Sequence, residues 1–379
     1  MKICTWGDVA SALEGKTSGG GELQIALLAK VLARLGHEVV IIDLMAKEDY
    51  MTSDGIKILQ IHGYHDSIRI TRLFTHLIPN LYASLKAQKA DIYYCQIRDF
   101  KHVLSFRAAR RTKGKFILQL ASDLDSMGLK MRIKHDYMTH FEGLYWFLKL
   151  FFNELIFPRL VRNADMVLVQ HEGQKKNLSK KGINSIIFNN LIELNQIPSE
   201  PDPLRQDFSY VGALDRRKGF AQFFELVDKS PFATFKVIGQ PRDRTGYKYY
   251  EKLKSYKNVT LYGSLSHPET LVHIYNSKAL ISTSPMEGFP NIFVEAWACG
   301  IPVLSLYFDP GDVIKKEKLG EVADGNIDKL ISYMKSVKNT DEFAKRARAY
   351  VEHNHIVNAE KIKEIDTLFK ELYKLEKLK

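Results

Sequence analysis

Two glutamates in the second half of the chain are the residues with the clearest chemical potential. Glu287 lies in a loop-like segment of apolar and small residues, and Glu295 follows it with seven residues between them, among large apolar neighbours. A carboxylate buried without a partner is costly, so two carboxylates in this apolar frame indicate a ligand site.

A regular succession of elements surrounds these two acids. Residues 279–283 are apolar and β-branched, which predicts a buried strand. Residues 284–291 contain two prolines and a glycine and predict a loop, and residues 292–299 predict a helix. Gly300 and Pro302 supply the usual signals for its end. Such a strand–loop–helix–strand unit is the building block of a parallel α/β sheet.

The geometry of this unit predicts where both carboxylates lie. Helical side chains lean toward the helix N-terminus, so Glu295 would lean back over the loop that carries Glu287. Both would then face the crevice at the carboxyl end of the strand, where open α/β sheets bind ligands. Backbone N–H groups at the helix start would point the same way and suit hydroxyls or phosphate. These N–H groups belong to Gly288, Phe289, Asn291 and Ile292.

A plainer interpretation exists for each acid alone. Glu295 could only compensate the helix dipole, and Glu287 could be a solvated loop residue. The cost of burying an unpaired carboxylate disfavours this interpretation for the pair.

The segment EGFPNIFVE, followed by AWACGIPVL, closely resembles the donor-site signature of the retaining glycosyltransferases of family 4. The resemblance implies an α/β chain of GT-B architecture, with two Rossmann-like parallel-sheet domains facing a central cleft. It implies that Glu287 meets the transferred sugar and Glu295 meets the ribose of the nucleotide. It further implies a metal-independent transfer that retains the α configuration, with no cofactor beyond the nucleotide-sugar donor.

A second charged loop agrees with this resemblance. The segment GALDRRKG, residues 212–219, follows a predicted strand and precedes a predicted helix. Cations at a helix start are electrostatically unfavourable unless an anion lies between them, and a diphosphate would fit. A solvated turn is the alternative. In family 4 an Arg and a Lys of this loop hold the diphosphate, which gives those roles to Arg217 and Lys218. Ala213 stands where the common family form has its Arg.

Two features of the first half of the chain also agree with the resemblance to family 4. Gly20 and Gly21 begin a predicted helix after the first strand, and glycine there lets a phosphate approach the backbone. A flexible loop is the commoner explanation for glycines alone, but GGGE resembles the family 4 loop against the donor diphosphate and acceptor. Asp123 follows a predicted strand where family members often carry His-Asp, so it is a candidate for sugar or acceptor contact. The nominal DxD formed by Asp123 and Asp125 is predicted to be a coincidence rather than a metal site.

Composition sets the broad class. The 379 residues suggest two domains, and 45% hydrophobic and 26% charged residues are ordinary for a globular protein. The net charge of +11 suits anionic partners, but no nucleic-acid motif is present. Three cysteines without metal or disulfide spacing, and no evident signal peptide, predict a cytoplasmic protein.

Residues 141–162 are unusually aromatic and are flanked by basic residues. They are too polar to span a bilayer. One interpretation is an amphipathic helix on the inner face of an anionic membrane, which a lipid-linked acceptor would make useful. The other interpretation is a long core helix of the first domain.

The alternation of strands and helices predicts the domain limits. Residues 1–194 would form the acceptor-side domain, and the proline-rich residues 195–206 the linker. Residues 207–354 would form the second domain, which by the resemblance binds the nucleotide-sugar. The resemblance also implies that residues 355–379 include a helix that crosses back to the first domain.

The predicted function is transfer of a hexose or related sugar from a UDP- or GDP-linked donor to a glycan or lipid-linked acceptor in surface polysaccharide assembly. Two alternatives stay open at this stage. One is a GT-B sugar-nucleotide epimerase, which would act without an acceptor, and the other is a non-catalytic sugar-nucleotide-binding protein.

Overall fold

The computed structural model describes residues 1–16, 19–61, 73–132, 134, 144–193 and 205–374. The chain divides into two compact units. The first consists of Met1–Leu191 together with Val357–Lys379, and the second of Ile192–Ile356. Most of the expected linker 195–206 lies outside the described residues, as do residues 141–143 of the aromatic segment.

The sheet of the first unit has eight strands in the order β3-β4-β2-β1-β5-β6-β7-β8. All neighbouring strands are parallel except β3 and β4. The strand order reverses between β1 and β5, as expected when right-handed crossovers place helices on both faces. The strands are β1 Lys2–Gly7, β2 Glu38–Asp43, β3 Tyr50–Met51, β4 Lys57–Gln60, β5 Ile92–Gln96, β6 Lys115–Gln119, β7 Met166–Val169 and β8 Ile186–Ile187.

Helices cover this sheet and bury two apolar clusters against it. The strands of the parallel sheet are buried on both sides, and this explains their continuous apolar runs. The described helices are Ala10–Leu13, Gly20–Arg34, Ile78–Gln88 preceded by a π turn at Leu73–Leu77, His102–Thr112, Asp123–Ser126, Leu144–Asn163 and Glu172–Ser179. The last helix of the chain, Ala359–Lys374, also packs into this core through Ile365, Phe369 and Leu372.

The helix Leu144–Asn163 has two distinct faces. Phe157, Leu160 and Val161 are buried in the core of the first unit, whereas Phe151 is 54% exposed and Leu155 is 43% exposed. Within the described residues, no helix has both the length and the apolarity that crossing a bilayer requires.

The sheet of the second unit has six parallel strands in the order β11-β10-β9-β12-β13-β14. Renumbered within the unit, this is the 3-2-1-4-5-6 order of the doubly wound nucleotide-binding fold, with its switch point between β9 and β12. The strands are β9 Phe208–Val211, β10 Phe235–Ile238, β11 Val259–Gly263, β12 Ala279–Ser282, β13 Val303–Ser305 and β14 Gly320–Val322.

Helices flank this second sheet on two sides, and each side has its own apolar cluster. The helices are Phe220–Asp228, Arg244–Leu253, His267–Tyr275, Asn291–Ala298, a 3-10 turn at Pro310–Asp312, Val313–Lys316, Ile327–Ser336 and Asp341–Asn354. The predicted strand–loop–helix–strand unit around the two glutamates is therefore present, with the helix beginning one residue earlier than expected.

Candidate functional site

The switch point of the second sheet brings two predicted loops side by side. Strands β9 and β12 are hydrogen-bonded neighbours although about 70 residues separate them along the chain. The loop with Arg217 and Lys218 follows β9, and the loop with Glu287 follows β12. Because both strands end at the same edge of the sheet, both loops lie at the crevice where such sheets bind ligands.

Thr283 ties these two loops together. Its hydroxyl donates to the carbonyl of Lys218 at 3.0 Å and to that of Gly219 at 2.9 Å. Gly219 adopts φ +66°, and a Cβ at that position would lie 2.0 Å from the carbonyl oxygen of Thr283. Only glycine therefore permits this approach of the two loops.

The contact between the two loops brings Lys218 next to Glu287. Lys218 Nζ lies 2.5 Å from Glu287 Oε1, and the side chains are 33% and 17% exposed. The two predicted residues form an ion pair that solvent, or a ligand in the crevice, can reach. A diphosphate would compete for the ammonium group, and a sugar hydroxyl could donate to the carboxylate.

Arg217 points to a different partner. Its guanidinium donates to Asp215 Oδ2 through Nε at 3.2 Å and through NH2 at 2.8 Å. The other oxygen of Asp215 accepts the backbone N–H of Lys218 at 3.0 Å. Asp215 is buried whereas the side chain of Arg217 is 43% exposed. Asp215 thus shapes the loop from inside, and Arg217 lies at its surface.

Glu295 is buried and contacts a histidine. His267 Nε2 lies 3.0 Å from Glu295 Oε1. Burial alone would lower the pKa of His267, but the hydrogen bond and the negative charge of Glu295 outweigh it and raise that pKa. Glu287 and Glu295 therefore contact two different basic side chains, Lys218 and His267.

Two helices begin at this crevice without neutralising side chains. Gly219 precedes the helix Phe220–Asp228 and Pro290 precedes the helix Asn291–Ala298. Neither helix has a capping side chain or an acidic residue in its first turn. The first turns of these helices therefore carry no negative side chain that would oppose an anion at the helix start.

The other predicted residues of the β12 loop have different surroundings. Gly288 is buried, and Asn291 and Ile292, the first two residues of the helix, are half-buried. The ring of Phe289 packs against Trp297 and His355 in the core, with centroids 6.1 and 5.0 Å apart. The Phe289 side chain therefore anchors the loop in the core.

Gly20 and Gly21 belong to the first unit, where they begin the helix Gly20–Arg34. The helix carries Glu22 in its first turn, and this acid already complements the helix dipole. A Cβ on Gly21 would lie 2.4 Å from Cδ1 of Ile97. Packing against Ile97 is thus one physical reason for glycine at this position.

Asp123 also belongs to the first unit, and it is paired with a buried histidine. His171 Nε2 lies 2.7 Å from Asp123 Oδ1, and Gln174 Nε2 donates to the same oxygen at 3.1 Å. Asp125 is used differently, because its Oδ2 accepts the backbone N–H groups of Ala121 and Ser122. Burial raises the pKa of Asp125. The two acids of the nominal DxD therefore serve separate interactions.

Sequence reasoning missed four residues that organise these sites, namely Thr283, Asp215, His267 and His171. Asp215 carried a signal, because an acid beside three consecutive cations is a natural loop organiser. His267 begins a helix after β11, but its partner Glu295 is 28 residues away. No local pattern indicates the other two contacts, which depend on strand order.

Solved structures resemble the whole fold. Sucrose-phosphate synthase from Thermosynechococcus elongatus superimposes with a TM-score of 0.78 at 14% identity, covering 99% of this chain and 100% of that one. Anabaena HepE in complex with UDP and glucose gives a TM-score of 0.66 at 12% identity, covering 97% of this chain and 98% of that one. These likenesses confirm the predicted GT-B fold class, with two α/β units built on mostly parallel sheets.

The relatives found by sequence match less than half of this chain. The lipopolysaccharide 1,6-galactosyltransferase of Salmonella typhimurium is 30% identical over 195 residues, which cover 46% of this chain and 52% of that protein. The chain spans about half the length of the curated relatives it matches, or less. Residues 195–354, which lie within the second unit, match the family model described as Glycosyl transferases group 1.

Proposed function

We propose that the protein is a retaining glycosyltransferase of family 4. It would transfer a hexose or related sugar from a UDP- or GDP-linked donor without a metal ion. The acceptor would be a glycan or a lipid-linked glycan, and the setting the assembly of a surface polysaccharide. The lipopolysaccharide galactosyltransferase among the relatives supports this setting.

The arrangement of charge at the switch point of the second sheet carries the proposal. Lys218, Arg217 and two uncapped helix ends supply positive potential there, and Glu287 and Glu295 supply acceptors for hydroxyl groups. In glycosyl transfer, the bond between the sugar and the diphosphate breaks, and its electron pair moves to the phosphate oxygen. Preorganised positive groups stabilise that developing charge.

The acids would orient the donor. Glu287 would accept a hydroxyl of the transferred sugar, and Glu295 would accept the hydroxyls of the ribose. The backbones of Gly288, Phe289, Asn291 and Ile292 would hold the sugar and phosphate, as the start of the helix Asn291–Ala298 favours. The complex of HepE with UDP and glucose supports a nucleotide and a sugar as ligands of this fold.

The acceptor would be served by the first unit. Asp123 would accept a hydroxyl of the sugar or acceptor through its carboxylate, which His171 and Gln174 hold in place. Gly20 and Gly21, at the start of the helix Gly20–Arg34, would contact the donor diphosphate and the acceptor, as the family resemblance implies.

A donor screen tests the proposal. UDP- and GDP-sugars are first compared for thermal stabilisation of the full chain, since a bound donor raises the melting temperature. The stabilising donor, labelled in its sugar, is then incubated with glycan and lipid-linked acceptors. Transfer to an acceptor with retained anomeric configuration supports the proposal. Isomerised donor without acceptor indicates an epimerase, and binding without reaction indicates a non-catalytic protein.

We further propose that the protein is cytoplasmic and meets the inner membrane face through the exposed side of the helix Leu144–Asn163. Phe151 and Leu155 lie one turn apart on that side, and Arg159 and Arg162 continue it with positive charge. Apolar side chains beside cations are typical of helices at anionic membrane surfaces.

Co-sedimentation with anionic liposomes at low salt tests this contact. F151S with L155S should reduce binding, whereas F232S, which removes a similarly exposed phenylalanine from the second unit, should not. Absence of binding by the wild type at low salt would contradict the membrane proposal.

A further inference from the structure

We infer that His267 is a positioning residue for Glu295, holding the carboxylate where it accepts the ribose hydroxyls of the donor nucleotide. This inference rests on the proposed function, because it concerns the same nucleotide site. His267 would act through Glu295 and through the net charge of the pair, without reacting itself.

The backbone around His267 is fixed independently of its ring. His267 begins the helix His267–Tyr275, whose start is closed by a capping box between Ser266 and Glu269. Glu269 Oε2 accepts the backbone N–H of Ser266 at 2.8 Å. The imidazole therefore has no role in capping this helix, and its Nε2 is turned toward Glu295 at 3.0 Å.

The backbone of Glu295 is held in place as well. It belongs to the helix Asn291–Ala298, in which Phe293, Val294 and Trp297 are buried in the core. Trp297 Nε1 also donates to the carbonyl of Leu319 at 2.9 Å. Because the backbone of Glu295 is held in this way, only its side chain can still rotate and change where the carboxylate points. The contact of His267 with Oε1 restricts that rotation. In the proposed role, the other oxygen, Oε2, would accept the ribose hydroxyls.

Charge gives His267 a second effect on nucleotide binding. The contact with Glu295 raises the pKa of His267 despite its burial. The pair is therefore neutral in the lower pH range, when the imidazole is protonated. Above that pKa the imidazole is neutral, and the uncompensated charge of Glu295 opposes the anionic diphosphate.

Other ionisable groups lie near this pair, among them Arg205, which packs over Tyr275 in the helix of His267, and Arg348, whose charge acts on Cys299. The helix of His267 carries Glu269, which is bound to Ser266, and His273, whose pKa is lowered by burial. The helix of Glu295 is followed by Cys299, and β9, against which the helix of His267 packs, carries Tyr210. Burial raises the pKa of both the thiol and the phenol, so both stay neutral near pH 7.

The test measures the affinity of the full chain for UDP and for GDP by calorimetry between about pH 5.5 and pH 9. Three proteins are compared: wild type, H267Q and H273Q. Gln can keep one N–H donor but cannot be protonated. The ratio of the dissociation constants of H267Q and wild type cancels the titration of the nucleotide itself. We expect this ratio to be about threefold to tenfold at low pH and to decrease as the pH rises through the raised pKa of His267.

H273Q is the matched control, since His273 lies on the same helix and its ring packs against Tyr262. Its ratio to wild type should stay near one at every pH. In addition, H267Q should have little effect in an E295Q background, because residues that act through one another are not additive.

The outcomes distinguish the positioning role of His267 from the proposed function of the protein. A ratio for H267Q that does not change with pH, or the same ratio in the E295Q background, overturns the positioning role while nucleotide binding stands. If neither UDP nor GDP binds the wild type, the proposed function fails and the role of His267 fails with it.

Discussion

The ion pair between Lys218 and Glu287 leads to a prediction that runs against simple loss of function. Glu287 pairs with the Lys218 ammonium group that a diphosphate would need. E287Q keeps the size of the side chain and removes its charge. We expect E287Q to bind UDP or GDP more tightly than wild type while losing sugar transfer.

The size of the gain follows from the geometry of the pair. Two unit charges about 4 Å apart attract by about 4 kcal/mol at an effective dielectric constant near 20. Lys218 and Glu287 are closer, at 2.5 Å, but their side chains are 33% and 17% exposed, so solvent screens them. Measured net values for exposed pairs are at most about 1 kcal/mol. A gain of about 1 kcal/mol corresponds to about fivefold tighter binding of the nucleoside diphosphate.

Titration calorimetry with UDP and GDP measures this gain directly. K218M should weaken binding, because the ammonium group is lost. E287Q combined with K218M should bind no better than K218M alone, since the gain requires Lys218. Weaker or unchanged binding by E287Q would refute the competition between carboxylate and diphosphate, and undiminished sugar transfer would refute the role of Glu287.

Three further predictions concern the loops and the first unit. G219A should lower the free energy of unfolding by more than about 2 kcal/mol in urea titrations, because Cβ would meet the Thr283 carbonyl and φ is +66°. G182A, with φ +70° and open space, should cost only about 1 kcal/mol, and an equal loss in both variants would contradict the close approach. The raised pKa of His267 stabilises the fold fully below about pH 6.5, and this contribution is lost as the pH rises through that pKa. The difference in the free energy of unfolding between wild type and H267Q should therefore become smaller toward alkaline pH. A difference that stays constant with pH would contradict this contribution of His267. D123N should lower transfer without changing UDP or GDP affinity, and equal turnover would remove Asp123 from the site.

The sequence was sufficient to predict the local elements of the site. Glycine, proline and the apolar run around Glu287 indicate a strand, a loop and a helix, because each residue type restricts the backbone directly. The structure has these elements within a residue or two. The GT-B fold class was predicted through the family resemblance, and the two series of alternating strands and helices in the chain agreed with it.

The partners of the charged residues could not be predicted from local patterns. Lys218 and Glu287 are 69 positions apart and meet only because β9 lies beside β12. The contact of Arg217 with Asp215 is likewise not visible as a pairing in the sequence pattern, and the shared role of Arg217 and Lys218 stays a prediction. The contacts of His267 and His171 depend on strand order in the same way. A single sequence gives the types of elements but not which strands become neighbours.

A crystal structure of the full chain with bound UDP or GDP tests the central claim most directly. The diphosphate should lie within hydrogen-bonding distance of Lys218 Nζ and near the start of the helix Asn291–Ala298. The ribose hydroxyls should contact Glu295, and Glu287 should be released from Lys218. A nucleotide bound elsewhere, with the Lys218–Glu287 pair intact, would contradict a donor site at the switch point of the second sheet.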